Sequence, residues 1–426
     1  MTAEDGPVTS SCLDTHTGDL LPPVPGGPRA RLRADVAALL FRRAVARLPL
    51  RVEFPDGTVL GAAHPEPLPR MILRDPDAFV ARLGTHGLIG FGESYTAAEW
   101  TSPDPADVLT VLATALTRLI PRPLQRFRAL LPAPPVTETA TQANAPGHIE
   151  HHYDLSNELF GLFLDETMTY SSALFDADSA TATWEELAEA QRRKMDRLLD
   201  AARVGPGSRV LEIGTGWGEL CVRAAARGAI VRSVTLSRRQ LDLARDRVAA
   251  AGHADIVDID LLDYRDIRGT YDAIVSIEMI EAVGYRHWAT YFTCLDRLLA
   301  PGGRVALQAI TMPHDRMLAT RRTYTWIQKY IFPGGFLPSV AAIERTAHAH
   351  TGLRVRDRFD FGPHYAETLR LWRERFDAHA ARVADLGFDS RFRRLWQFYL
   401  AYSEAGFRSG YLDVAQFVLD RPEEHR

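Results

Sequence analysis

Strands that alternate with helices between residues 209 and 311 constrain the fold of this chain more than any other feature. Short β-branched runs recur there as RVLEIG, IVRSVTLS, ADIVDID, YDAIVSI and GRVALQAI, with amphipathic helical patterns between them. Strands that are connected through helices pair in parallel, so the pattern predicts an α/β sheet with helices on both faces.

The composition places the chain among soluble globular enzymes and excludes several other classes. A length of 426 residues exceeds one ordinary domain, and 46% apolar with 24% charged residues is typical of a folded protein. The net charge of -4 argues against a nucleic-acid partner. Cys12, Cys221 and Cys294 lack the spacing of a metal site or a disulfide framework, which predicts no metal and a reduced, cytoplasmic setting.

Changes in pattern along the chain predict four segments. Residues 1–30 are expected to be a disordered tail, and residues 31–131 a smaller α+β domain with a hairpin that turns at Asp56-Gly57. Residues 132–147 are rich in Pro, Ala and Thr and predict a linker. Residues 148–426 form the predicted catalytic domain, and beyond Thr311 the pattern becomes helical, aromatic and basic, which indicates a helical cap.

The sequence VLEIGTGWG places a glycine-rich turn between a buried strand and a helix. Gly214, Gly216 and Gly218 follow the spacing E/D-x-G-x-G-x-G that is typical of methyltransferases, whereas dinucleotide enzymes carry GxGxxG. Glycines allow the backbone to approach a ligand closely. The turn therefore predicts a binding site for S-adenosylmethionine on a class I, Rossmann-like methyltransferase sheet.

The next two strands supply further candidates for the cofactor site. Thr235 and Leu236 end one strand where most methyltransferases have an acidic residue, so Thr235 and Gln240 would bind the ribose hydroxyls. Asp263 could accept from the adenine amino group while Leu262 packs on the ring. A solvated helix position for Gln240 and a core position for Leu262 are the alternatives.

Six motifs in order resemble the cyclopropane-fatty-acid synthases, a group that includes mycolic-acid cyclopropane synthases and mid-chain fatty-acid C-methylases. They are HHYDLSNELFGLFLDETMTYSSALFD, VLEIGTGWG, VTLSRRQ, EMIEAVG, FPGGFLPS and HYAETLRLW. The resemblance covers about residue 150 to the C-terminus. The N-terminal unit resembles the extra domain of phospholipid-acting members.

The resemblance implies roles for individual residues. Tyr170 and Ser171 would lie over the cofactor, and Glu281 and Tyr365 beside the reacting carbon. The implied activity is transfer of a one-carbon unit to the double bond of an unsaturated phospholipid acyl chain. Aromatic faces, including Trp372, and the Glu281 carboxylate would stabilise the carbocation, although packing alone also explains such aromatic residues.

One departure from the family concerns an anion site. Cyclopropane-forming members hold bicarbonate with a Cys, a Glu, a His and a Tyr, and with backbone near an Ile. Glu281, Ile310 and Tyr365 match, but Ser172 and Gln308 replace the thiol and the imidazole. Because neither replacement is a cation, bicarbonate binding stays open and Glu281 becomes the expected base. The variants favour the C-methylase branch and a methylene or methyl product over a cyclopropane.

A basic, amphipathic segment predicts contact with lipid without a membrane span. One face of a predicted helix would carry the apolar residues Met317, Tyr324, Ile327 and Ile331, and the opposite face would carry Arg322 and Lys329. This amphipathic pattern and the basic run at residues 29–51 predict peripheral membrane association. Packing of that helix on the sheet is the alternative. The sequence also leaves three questions open. The chain could form a homo-oligomer, its substrate could be a small natural product, or it could be an inactive homologue that binds cofactor or lipid.

Overall fold

The structure, a computed structural model, describes residues 21–61, 67–119, 156–176, 181–321 and 323–422. The strands are β1 Arg51–Glu53, β2 Val59–Leu60, β3 Arg70–Leu73, β4 Trp100–Thr101, β5 Arg209–Ile213, β6 Ile230–Thr235, β7 Val257–Leu261, β8 Tyr271–Ile277, β9 Leu299–Thr311, β10 Arg354–Asp360 and β11 Asp413–Asp420. The predicted linker lies outside the described residues, as does most of the predicted tail.

Helices connect these strands and form the cap. They are α1 Pro28–Val45, α2 Pro76–His86, α3 Leu88–Thr96, α4 Pro105–Leu119, α5 Asn157–Gly161, α6 Trp184–Ala201, α7 Glu219–Ala226, α8 Arg238–Ala250, α9 Ile280–Val283, α10 Trp288–Leu298, α11 His314–Thr320, α12 Trp326–Tyr330, α13 Val340–His350, α14 Gly362–Ala378, α15 Ala380–Asp385 and α16 Ser390–Arg408. Their starts follow local chemistry: Thr183 and Glu186 form a capping box before α6, and Ser237 caps α8.

The large sheet has the strand order β10-β11-β9-β8-β5-β6-β7. Strands β5 to β9 pair in parallel, whereas β11 is antiparallel to both β9 and β10. This arrangement confirms the predicted α/β, Rossmann-like sheet. The chain leaves β5 for β6 on one side and returns to β8 on the other, and such a switch point opens a crevice at the carboxyl ends of the strands.

Alternation along β5 explains why helices cover both faces of this sheet. Val210 belongs to the core that α6, α7 and α8 form, and Leu211 and Ile213 belong to the core formed with α10 and α13. Successive side chains of a strand point to opposite faces, so an apolar run is buried on both sides. The continuous apolar composition of β5 therefore fits its central position.

The N-terminal unit contains the predicted hairpin and a second sheet. β1 and β2 pair antiparallel through the turn at Asp56-Gly57, and the sheet order is β2-β1-β3-β4. Helix α1 begins at Pro28, three residues before the predicted domain boundary at residue 31. The downstream boundary stays a prediction, because residues 120–155 are not described.

The N-terminal unit shares one hydrophobic core with the helical cap. Phe91 and Trp100 contact Phe398 of α16, with ring centroids 6.4 Å apart in both pairs. Trp326 of α12 packs edge-on against the same Phe398 ring at 4.7 Å. The Tyr95 hydroxyl donates to Gln397 Oε1 at 2.7 Å. The unit and the cap are therefore packed together in one core, while further core clusters lie on the large sheet.

The single amphipathic helix expected between Met317 and Ile331 is wrong. The chain forms two short helices instead, α11 and α12, each of which ends within a few residues. Met317 and Ile331 are buried, and Arg322 lies outside the described residues. A capping box formed by Thr325 and Gln328 begins a new helix, α12, so a single helix does not extend from Met317 to Ile331.

Lys329, expected at a lipid surface, instead binds a carboxylate of the N-terminal unit. Its Nζ donates to Glu93 Oε1 at 2.7 Å, and the Tyr330 hydroxyl donates to the same oxygen at 2.7 Å. His86 Nδ1 lies 2.7 Å from Glu93 Oε2. Burial alone would raise the pKa of Glu93, but these partners hold it below its ordinary value. The ionised Glu93 therefore joins the unit to α12.

We expect Lys329→Met to lower the free energy of unfolding by about 1–3 kcal/mol, because it removes a charged donor from the buried Glu93 carboxylate. Urea unfolding of the purified protein measures this. The matched control is Arg358→Met, which breaks the exposed pair with Asp360 and should cost at most about 1 kcal/mol. Equal losses in the two variants would contradict the importance of Glu93 for joining the unit to the cap.

Candidate active site

A cavity opens at the carboxyl ends of β5, β6 and β8, where the strand order switches direction. Its lining includes the glycine-rich turn after β5, Leu236 after β6, and Glu278 and Met279 after β8. The segment Thr167 to Ser171 closes another side. The cavity therefore occupies the crevice in which open α/β sheets bind their ligands.

The backbone of the glycine-rich turn is exposed to this cavity. Gly216 has φ +54, and a Cβ there would meet no atom of the described residues within 4 Å. A Cβ at Gly214 would come within 2.5 Å of the Met279 side chain. Gly218 has another position: it precedes α7, packs against Ala244 and does not line the cavity. Gly216 thus leaves its backbone open to a ligand, and the missing side chain of Gly214 makes room for Met279.

Polar groups follow the turn along the cavity wall. Thr235 Oγ1 donates to Gln240 Oε1 at 2.9 Å, and both side chains are buried at the cavity. Gln240 is therefore not a solvated helix residue. The pair stands where hydroxyl groups of a ribose could be bound, and Leu236 lines the cavity between them.

Asp263 lies beside the cavity, and its contact with the adenine amino group stays a prediction. Its carboxylate accepts from Arg265 Nε at 2.8 Å and caps a 3₁₀ turn, and only its neighbours Leu262 and Tyr264 line the cavity. Burial would raise the pKa of Asp263, but the bonds from Arg265 hold it below its ordinary value. The ion pair thus competes with the predicted contact to adenine.

Tyr170 and Ser171 line the cavity opposite the glycine-rich turn. The Tyr170 hydroxyl lies 2.6 Å from that of Tyr399, and its ring is 5.3 Å from the ring of Trp372. Ser171 Oγ accepts a hydrogen bond from Lys194 Nζ. Burial lowers the pKa of Lys194 to about 7. An aromatic wall and a buried amine therefore flank this side of the cavity.

The Glu278 carboxylate accepts hydrogen bonds from three different parts of the chain. Ser172 N and Gln308 Nε2 donate to Oε1 at 3.0 and 2.9 Å, and the Tyr365 hydroxyl donates to Oε2 at 2.8 Å. Burial raises the pKa of Glu278, and the charge of Lys194 and these donors oppose the rise. Three residues predicted to hold an anion thus surround a carboxylate of the protein itself.

Glu281 has a different environment behind the cavity wall. Ile310 N donates to its Oε1 at 2.6 Å, while Oε2 is buried without a hydrogen-bond partner among the described residues. Burial raises the pKa of Glu281 to about 8, and repulsion by the Glu278 carboxylate adds to the rise. Of this pair, Glu278 lines the cavity and Glu281 does not.

The sequence analysis named most of the residues that lie at or beside this cavity, but it missed two. Glu278 begins the motif EMIEAVG, so its position in a recognised motif was the available signal. Lys194 lies in a helical pattern that carries several basic residues, and nothing in that pattern marks it as buried. Ser172 acts through its backbone N–H, since its hydroxyl donates to Ala173 O.

Comparisons with known proteins agree with this geometry. The mycolic acid cyclopropane synthetase family model matches residues 140–417. The tuberculostearic acid methyltransferase UfaA1 of Mycobacterium tuberculosis is 58% identical over 424 residues, which cover 99% of each chain. The cyclopropane-fatty-acyl-phospholipid synthase of Escherichia coli is 34% identical and covers 83% of this chain and 88% of its own.

Solved structures extend the comparison to the fold. The mycolic acid cyclopropane synthase CmaA1, complexed with S-adenosylhomocysteine and CTAB, superposes with a TM-score of 0.58 at 32% identity. That match covers 64% of this chain and 97% of the other. The chain therefore belongs to the mycolic acid cyclopropane synthetase family and is an S-adenosylmethionine-dependent methyltransferase.

Proposed function

We propose that this enzyme transfers a one-carbon unit to the double bond of an unsaturated fatty acyl chain of a phospholipid. The observation that carries the proposal is that Glu278, a buried carboxylic acid, lines the same cavity as the glycine-rich turn. A methyl donor and a proton acceptor are both needed for this reaction, and this cavity offers a place for each. The similarity over the whole chain to a fatty-acid methyltransferase supports the choice of substrate.

We propose that S-adenosylmethionine binds along the wall formed by Gly214, Gly216, Thr235, Gln240 and Tyr170. When bound, it supplies a sulfonium methyl group. The open space at Gly216 admits a ligand against the backbone, and the buried Thr235 and Gln240 pair offers hydrogen bonds to hydroxyl groups. Ser171, Leu236 and Leu262 also line this cavity.

The chain's contribution to catalysis is positioning, exclusion of water and acceptance of a proton. An isolated alkene is a weak nucleophile, so it must be held in line with the methyl group in a dry pocket. Tyr170 lines the cavity, where its ring would stabilise positive charge on the acyl chain, and Trp372 packs against Tyr170 and Tyr365. A carboxylate of the Glu278 and Glu281 pair then takes the proton.

We propose a methylene product, in keeping with the C-methylase branch. The donors Ser172, Gln308 and Tyr365 are engaged by Glu278, so they are not arranged around a separate bicarbonate ion. A saturated methyl branch would need a further hydride from a separate reductant, because methyl transfer and proton loss supply no electrons. Cyclopropane and a small natural product are the alternative product and substrate.

Lipid analysis tests the proposed function. Cells that express the enzyme are supplied with one monounsaturated fatty acid, and their lipids are analysed by mass spectrometry and NMR. We expect a mass increase of one CH₂ and the NMR signals of an exocyclic methylene. Cyclopropane signals would overturn the proposed product, and unchanged lipids with a modified small molecule would overturn the proposed substrate.

Gly216→Ala should weaken S-adenosylmethionine binding at least about tenfold, because the added methyl group enters the cavity beside the backbone. Calorimetric titration measures the affinity. Gly252→Ala is the matched control, since Gly252 also has positive φ with no neighbour of its Cβ within 4 Å, but lies outside the cavity. Wild-type affinity in Gly216→Ala would contradict the assignment of this turn.

We also propose peripheral membrane association through helix α1. Of its apolar residues, Leu32, Val36 and Leu39 are 67%, 51% and 68% exposed and recur at helical spacing. The helix carries five arginines and one aspartate, which favours an anionic lipid surface. Within the described residues, no helix is both long and apolar enough to cross a bilayer.

Replacing Leu32 and Leu39 together by Ser should reduce binding to anionic phosphatidylglycerol vesicles by roughly tenfold, because less apolar surface enters the lipid. Sedimentation with vesicles measures this, and rising salt should weaken the wild type as well. Ile230→Ser is the control, as Ile230 is 54% exposed at the start of β6. Unchanged sedimentation of the double variant would show that α1 does not bind lipid.

A further inference from the structure

The backbone of Glu278 is unusual for a residue with a side chain. It has φ +51, in the left-handed region, directly after the end of β8. Its N–H donates to Gln308 O at 2.8 Å, which fixes the turn against β9. Non-glycine residues adopt this conformation at an energetic cost, and such residues are concentrated at functional sites.

The hydrogen bonds around Glu278 select its ionised form. Ser172 N–H, the Gln308 amide and the Tyr365 hydroxyl all donate to it, and together they use both oxygens. A carboxylate only accepts hydrogen bonds, whereas a protonated carboxyl must also donate one. The buried ammonium of Lys194 favours the same negative charge. The Glu278 carboxylate is therefore available as a proton acceptor.

The neighbouring Glu281 is held in the opposite state. Its donors are two backbone N–H groups, those of Ile310 and of Glu281 itself, whereas Glu278 has donors from three other residues, and Glu281 stands close to the negative charge of Glu278. Its pKa of about 8, raised by burial and then by Glu278, keeps it protonated at neutral pH. When their surroundings give two carboxyl groups different protonation states, the ionised one can act as the base and the other stays neutral. Here Glu278 is the ionised group and Glu281 the neutral one.

We propose that Glu278, not Glu281, is the catalytic base, and that its carboxylate replaces any exchangeable anion in the proton-transfer step. The proposal rests on the proposed function. Methyl transfer to one alkene carbon leaves the positive charge on the neighbouring alkene carbon, and a hydride then shifts from the methylated carbon to that neighbour, which moves the charge to the methylated carbon. A C–H bond of the new methyl group then breaks, and its electron pair forms the carbon–carbon double bond to the methylated carbon. The proton moves to a Glu278 oxygen and later leaves to solvent, while the positive charge of the acyl chain is cancelled.

The raised pKa of Glu278, caused by burial, strengthens it as a base once it is ionised. Charged or titratable groups that act on this carboxylate are Lys194, Glu281 and Tyr365. Ser172, Gln308 and Tyr365 occupy the positions that the family resemblance assigns to bicarbonate binding, and here they donate to a carboxylate of the chain itself. The enzyme should then need no bicarbonate.

Two substitutions at Glu278 separate the chemistry from the fold. Glu278→Gln keeps the shape and removes the basic oxygen. Glu278→Gly suits the left-handed backbone and leaves a space lined by Ser172 N–H, Gln308 and Tyr365, in which formate or bicarbonate could bind. Purified full-length wild type and variants are assayed with S-adenosylmethionine and vesicles of monounsaturated phospholipid, in buffer freed of bicarbonate. Cofactor affinity and thermal unfolding are measured in parallel.

We expect the wild type to turn over at the same rate with and without bicarbonate. Both variants should bind the cofactor normally and lose at least about a hundredfold in turnover. Added formate or bicarbonate should restore activity at least about tenfold in Glu278→Gly but not in Glu278→Gln, where the space is filled. A structural role alone would not produce this difference.

Three results would overturn the assignment: a wild type that stalls without bicarbonate, wild-type turnover in Glu278→Gln, or failure of both anions to restore Glu278→Gly. Glu281→Gln serves as the comparison and should lose less than Glu278→Gln, with no response to formate. A wild type inactive on lipid under every condition would instead contradict the proposed function, so the two failures are distinguishable.

Discussion

The negative charge of Glu278 is the interaction on which the rest of the active site depends. Ser172 comes from the segment before α6, Gln308 from β9 and Tyr365 from α14, and all three donate to one carboxylate. A buried charge is costly unless it is hydrogen-bonded or paired. The sheet and the helical cap must therefore meet in one arrangement for this charge to be tolerated.

The second consequence of this charge is that several titratable groups around it are coupled. Burial lowers the pKa of Lys194 to about 7, while the charges of Glu278 and Asp165 raise it. Burial raises the pKa of Tyr365 far above its usual range, and the Glu278 charge adds to that rise, so Tyr365 remains a donor. The titrations of such a cluster are coupled, so each proton is shared among its members. Glu278 stays available as the proton acceptor beside the neutral phenol of Tyr365 and the neutral carboxyl of Glu281.

Local sequence patterns predicted the sheet and the cofactor turn because these depend on short-range chemistry. The apolar run of β5 and the glycines after it encode a buried strand and a close approach to a ligand. The departures arise where a tertiary partner decides the outcome. Lys329 binds Glu93 across 236 residues of sequence, and Gln308 binds Glu278 across 30 residues. Neither choice is visible in periodicity.

Glu278 and Glu281 show the same limit within a single motif. Three residues apart, they would share a face if one helix carried both. Helix α9 begins only at Ile280, and the left-handed backbone at Glu278 turns the two carboxyl groups into different environments. The spacing within the motif therefore could not show that Glu278 lines the cavity and that Glu281 does not.

A series of contacts connects the N-terminal unit to the wall of the active site. Glu93 binds Tyr330 at the end of α12, and two residues later Phe332 packs edge-on against Tyr399 at 5.8 Å. The Tyr399 hydroxyl lies 2.6 Å from that of Tyr170, which lines the cavity. Because each step is a direct contact, the N-terminal unit fixes the aromatic wall. These contacts give a structural reason for the N-terminal unit to accompany the catalytic sheet in this chain.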